Sequence, residues 1–167
     1  MMIAPTNGPV GFQPHGHIAR MVNRHSAALA VGDVVITSFA HSGVVFPATT
    51  VAQQSLIPFS NVILAEGDQT AQRGYIGVVA DLGPESGAAG TEVLVQFGGI
   101  ARAKVTATAA VSIGTSLGVH DSNGGFDTGG AATSTAPAAI ALEALASGTS
   151  VINVWLPVLY WAQTATV

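Results

Sequence analysis

A mainly β fold is predicted by this sequence: a β-barrel or β-sandwich made of two similar strand units, preceded by an extended N-terminal arm. Three observations lead to it. Hydrophobic residues make up 49% of the chain but aromatic ones only 6% and charged ones 8%, so the apolar content is mainly Ala and Val among abundant Gly and Thr. That mixture favours short strands and tight turns over long charged helices. Residues 100–108 alternate cleanly, with Arg102, Lys104, Thr106 and Thr108 on one face and small apolar residues on the other. Finally, one strand pattern occurs twice.

The elements follow in order. Residues 1–30 contain Pro5, Gly8, Pro9, Gly11, Pro14 and Gly16, keep no amphipathic period and read as the arm. The body, residues 31–167, opens with a strand over 31–39, where Val34-Val35-Ile36 follows Gly32-Asp33. The apolar pieces of 41–60 are broken by Pro47 and Pro58 and suit edge strands or a long loop. Further strands are expected at 61–65, 74–81, 91–97, 100–108 and 116–120, then at 151–156 and 158–161, with a turn at 121–125.

The repeat decides one ambiguous segment. Ala30–Val35 resembles Ser112–Leu117, Tyr75–Asp81 resembles Ala139–Ala144, and Gly90–Phe97 resembles Gly148–Trp155, in the same order. Residues 138–146 have helical propensity, but Ala138–Ala144, as the counterpart of a strand, is expected to be strand. The pseudo-repeats run over about 31–100 and 101–160. Neither is large enough to bury a core alone, so they are expected to close against each other.

Charge and motif chemistry exclude more than they offer. With so few charges, part of the exterior is expected to be hidden in an oligomer or on a partner. Arg20 and Arg24 lie in residues 1–30 without any acid, while all nine acids fall in the body against Arg73, Arg102 and Lys104. An acidic body without a basic, aromatic-interleaved patch argues against nucleic acid. No apolar run approaches the roughly 18–20 residues of a membrane span, and the N-terminus lacks a signal-peptide pattern. There is no cysteine for a disulfide or a thiolate metal site. His15 and His17, with His25, are spaced to share a metal but lack a nearby acid. Residues 121–125 gather oxygen ligands without the spaced acids of a Ca²⁺ loop. Glu66-Gly67-Asp68 reads as a hairpin tip, and Gly98-Gly99 lacks the Lys-Ser/Thr of a phosphate loop. No nucleophile–base arrangement is found, and neither catalysis nor a cofactor is expected.

The segments Ile100–Thr108, Val111–Leu117, Asn123-Gly124-Gly125, Pro137–Ala144 and Gly148–Leu156 resemble, in this order, the small β-rich cement or decoration proteins of bacteriophage capsids. The similarity covers about residues 60–156. It implies a structural protein on the exterior of the virion, commonly a homotrimer, with the major capsid protein as partner. In that role Phe12, Arg20 and Arg24 are the expected anchors of the arm. Trp155 and Trp161 are expected either at the subunit seam or in the core. The rival expectation is a carbohydrate-binding or head-fibre-like adhesion module, which requires exposed aromatics around a groove.

Overall fold

The structure, a computed structural model, describes residues 16–37, 61–65, 73–83, 86–120, 122–128, 137–157 and 160–162. Eleven strands run through them: β1 (His17–Asn23), β2 (Val34–Thr37), β3 (Asn61–Leu64), β4 (Arg73–Asp81), β5 (Glu92–Phe97), β6 (Gly99–Ala107), β7 (Ser116–Val119), β8 (Phe126–Asp127), β9 (Ala139–Ala141), β10 (Gly148–Leu156) and β11 (Tyr160–Ala162). The fold is mainly β, as the composition predicts.

Two closed five-stranded sheets result. The first runs β4-β2-β3-β1-β5 and closes through β4–β5, with β11 added on β4. The second runs β10-β6-β8-β7-β9 and closes through β9–β10. Alternation explains the closure. Odd-numbered residues of β6 (Ala101, Ala103, Val105, Ala107) are buried while Ile100 and Arg102 are exposed. A narrow barrel holds mainly small side chains, and the Ala/Val-rich strands supply them, with Leu117, Phe126 and Leu156 filling the middle. Burying a side chain such as Phe126 contributes about 1.5–3 kcal/mol.

The two barrels are copies of one unit. Every pairing of the first recurs in the second: β1–β3 is parallel as β6–β8 is, and β1–β5, β2–β3, β2–β4 and β4–β5 are antiparallel as β6–β10, β7–β8, β7–β9 and β9–β10 are. The connecting turns repeat atom for atom. Gly32 N–H donates to Val79 O and Val79 N–H to Asp33 O, at 2.8 and 2.9 Å. Gly114 and Ala141 make the same two bonds with Ala141 O and Thr115 O, at 2.8 and 2.9 Å. Gly32 and Gly114 adopt φ of 92° and 88°, a region that side chains other than glycine's avoid, which is why the turn keeps its glycine twice.

The register corrects the alignment read from sequence. Pairing places Val78 opposite Val34 as Ile140 is opposite Ser116, so Gly77 and Val78 correspond to Ala139 and Ile140. It also matches Gln96 to Trp155 and Phe97 to Leu156. The shared Gly-Thr before each last strand pulled the sequence comparison one residue away, enough to swap every side chain between inside and outside. Over residues 138–144 the strand expectation holds for Ala139–Ala141; Leu142 and Glu143 bend away.

The N-terminal boundary moves as well. Residues 16–30, expected in the arm, belong to the first barrel: β1 makes six paired positions with β5, and Met21 and Leu29 are buried in its core. The unit therefore starts at Gly16 in one copy and Gly98 in the other, not near residue 31. What looked structureless alone is a strand because β5 offers it an edge and an interior for Ala19, Met21 and Asn23. Residues 1–15 lie outside the described residues.

Candidate functional site

The anchors named from sequence are not brought together. Arg20 lies on the outer face of β1, its Nη1 3.3 Å from Glu92 Oε2, with both side chains largely exposed. Arg24 follows β1; its Nε–H donates to Asn61 Oδ1 (3.2 Å) and its backbone N–H to Val62 O (2.8 Å). Trp155 is half-buried on the outer face of β10, opposite Ile100 of β6 and Ile140 of β9. Trp161 stands opposite Gly74 in the β11–β4 pair, away from Trp155 in the sheet order. Phe12 lies outside the described residues.

The other motifs resolve into structural contacts. Among the described residues, no three His, Cys, Asp or Glu are grouped to hold a metal. His15, His41, the 66–68 tip and Asp121 lie outside the described residues. In the 122–125 turn, Asn123 Nδ2 donates to Thr106 Oγ1 (2.8 Å) and its carbonyl accepts from Lys104 Nζ (2.7 Å). His120 Nδ1 accepts from the Ser122 N–H at 3.2 Å, and its Nε2 lies 4.0 Å from Asp127 Oδ2. Gly98-Gly99 is the link between the barrels.

What joins the barrels is a polar clasp beside an apolar face. The Ala30–Asp33 turn of the first barrel sits on the outside of β6 and β10. There Lys104 N–H donates to Gly32 O (2.8 Å), Lys104 Nζ pairs with Asp33 Oδ1 (2.5 Å), and the Gly32 backbone approaches the Val151 methyls. Val34 N–H also donates to Gly124 O (2.7 Å). Val34, Ile36, Ile63, Ile76 and Val78, which point out of the first barrel, are buried in one apolar cluster with the interior of the second. Their counterparts on the second barrel are Ser116, Gly118, Asp127, Ala138 and Ile140, a far more polar set.

The surface carries a pattern that the sequence reading missed. The large hydrophobic side chains left exposed among the described residues are Ile18 (51%), Val31 (49%), Tyr75 (39%), Ile100 (39%) and Ile113 (70%). Ile18 and Ile100 occupy the same position in the two copies, early in β1 and β6. Val31 and Ile113 likewise share the place before the turn glycine. The signal was present in the sequence: Gly16-His17-Ile18-Ala19-Arg20 beside Gly98-Gly99-Ile100-Ala101-Arg102. Assigning residues 1–30 to an arm removed the first copy from the comparison. Isolated exposed apolar residues are common on proteins; here they recur at matched positions of the two copies.

Comparison with protein-family models and with curated proteins gives no match for this chain.

Proposed function

We propose that the protein is a structural subunit that binds the outer surface of a phage capsid and cements neighbouring major capsid protein subunits. The observation that carries this reading is the duplicated barrel presenting the same exposed apolar positions in each copy. A shell repeats its own surface by symmetry, and a subunit with two equivalent contact sets suits such a surface. Weak contacts multiplied over many sites give firm attachment. The low charge of the chain suits interfaces whose centres are depleted in charge. The segments resembling decoration proteins fall largely on the second barrel, from β6 to β10. A homotrimer attached to the virion exterior is part of the proposal.

The test is co-sedimentation of the purified protein with heads of the phage that encodes it, followed by thermal release of DNA with and without the protein. Saturable binding and a raised release temperature are expected. Absence of binding to both expanded and unexpanded heads would refute the proposal. Binding on a glycan array instead would favour the adhesion reading, for which the exposed Tyr75 of β4 is the natural starting point.

A further inference from the structure

We infer that the free Ser112–Thr115 turn of one chain docks onto the outer β1–β5 face of a second copy, repeating between chains the junction that joins the barrels within one chain. The inference rests on the self-association in the proposed function and not on capsid binding.

The donor side is a turn built twice and used once. In the first barrel Ala30–Asp33 is clasped by β6 and β10: a Cβ on Gly32 would stand 3.1 Å from Val151 Cγ2 and 3.4 Å from the Lys104 nitrogen. In the second barrel the same turn, with Asp33 replaced by Thr115, is not clasped by any of the described strands. A Cβ on Gly114 would meet nothing within 4 Å, and Ile113 before it is the most exposed of the large hydrophobics named above, at 70%. Ser112 N–H is bonded to Thr115 Oγ1 (3.2 Å) as Ala30 N–H is to Asp33 Oδ2 (2.7 Å), so the tip keeps the docking shape without a docking partner among the described residues.

The acceptor side is present as well. The strands corresponding to β6 and β10 are β1 and β5, where Val22 takes the place of Lys104 and Glu92 that of Val151. That face holds a shallow depression of about 90 Å³ lined by Arg20, Gly83, Glu92, Val93 and Leu94, with the half-exposed Ile18 on the same side of β1. The chemistry differs from that of the intrachain junction. The intrachain clasp is an ion pair, Asp33 with Lys104; the interchain one matches Thr115 with Val22 and brings a larger apolar tip, Ile113 where the first copy has Val31. A contact lacking a buried ion pair suits chains that fold before they meet.

A turn on one chain meeting a strand face on the next is a heterologous contact, which closes into a ring when its rotation allows. In such a ring every barrel, whether from the same chain or the next, passes its turn to the following barrel.

The chain has no cysteine, so single cysteines report the geometry directly. Ile113→Cys and Glu92→Cys chains are coexpressed with different tags and treated with a short bis-maleimide, without capsids. Cross-links between the two tags are expected, and neither variant alone should cross-link. Sedimentation should give the wild type a mass of several chains, and Ile113→Asp should return it to one chain with unchanged circular dichroism. A single-chain mass for the wild type at tens of micromolar would overturn the inference. So would equal self-cross-linking of Ile113→Cys, which describes a two-fold contact, or an unchanged mass for Ile113→Asp. Failure here with retained head binding refutes the docking alone; loss of head binding by wild type refutes the capsid reading alone.

Discussion

Exchanging one inward residue between the two barrels gives a test of how independently each copy is built. Asn23 is fully buried at the end of β1, where the second copy has Val105. Its Nδ2 donates to Ala27 O and Gly87 O, both at 2.9 Å, and its Oδ1 accepts the His25 N–H at 2.8 Å. Asn23→Val removes three hydrogen bonds, each with a net worth of about 0.5–1.5 kcal/mol. Gly87 O keeps its bond from the Leu29 N–H (2.9 Å), and the exposed Ala27 can turn to water, so the loss stays below the full sum. New apolar burial returns about 1 kcal/mol, leaving a destabilisation of about 1–2 kcal/mol. The reverse change, Val105→Asn, loses the burial of a side chain with no exposure and leaves an amide in an apolar barrel. Its cost is about 3–5 kcal/mol. For a chain of this length these become falls in Tm of about 3–6 °C and 8–15 °C. Calorimetry and urea titration followed by tryptophan fluorescence measure both. If Asn23→Val stabilises the protein, or if Val105→Asn costs no more than Asn23→Val, the view that each interior is separately satisfied is wrong.

Lys104→Met strands the nearly buried Asp33 carboxylate and the Asn123 carbonyl; a loss of about 2–4 kcal/mol is expected, with part recovered in the Lys104→Met/Asp33→Asn double variant, as a double-mutant cycle by urea denaturation will show. Gly124→Ala would place a methyl 2.2 Å from Leu64 Cδ1 beside the interbarrel bond from Val34, and should lower stability by about 1–3 kcal/mol in the same titration. Arg20→Ala breaks an exposed pair only and should change stability by less than about 0.5 kcal/mol. Deleting residues 1–28 removes β1 and should unfold the first barrel, whereas deleting residues 1–15 should keep the circular dichroism of the full chain. The shorter deletion is thus the one that tests the N-terminal segment in head binding.

Strands were legible where they could be read one at a time. The alternation of residues 100–108, the β-branched run at 34–36 and the apolar run at 93–95 carry their own signal, because at least one face of each is buried whatever its neighbours are. Strand β1 carries no such signal: His17-Ile18-Ala19-Arg20 becomes a strand only through its pairing with β5. Strand β8 is two residues long, defined by pairing with β6 and β7 and by Phe126 filling the second barrel. The repeat was legible at its turns, where φ dictates glycine, and blurred along the strands, where many Ala/Val spacings look alike. The outer faces were least legible, since nothing in the sequence separates Val34, Ile36, Ile63, Ile76 and Val78 from inward-facing residues, and they form the seat of the second barrel.

That seat separates two kinds of apolar residue on the outside of the barrels. Hydrophobic side chains on the outer face of β2, β3 and β4 have a folding reason, for they vanish into the interbarrel cluster; the second copy carries Ser116, Gly118 and Asp127 at three of the matching positions and keeps Ala138 and Ile140 at the other two. Three of the five positions have thus diverged toward small or polar residues where the interbarrel cluster is absent. Ile18 with Ile100 and Val31 with Ile113 break that correlation: exposed in both copies, they stay apolar in both. If folding alone shaped these positions, the copies would be free to drift toward polar residues there, as they did on the outer face. Under the proposed function, such persistence is what contacts beyond the single chain would preserve. A second copy or a symmetric shell, as proposed above, would offer a surface that two equivalent barrels can both engage.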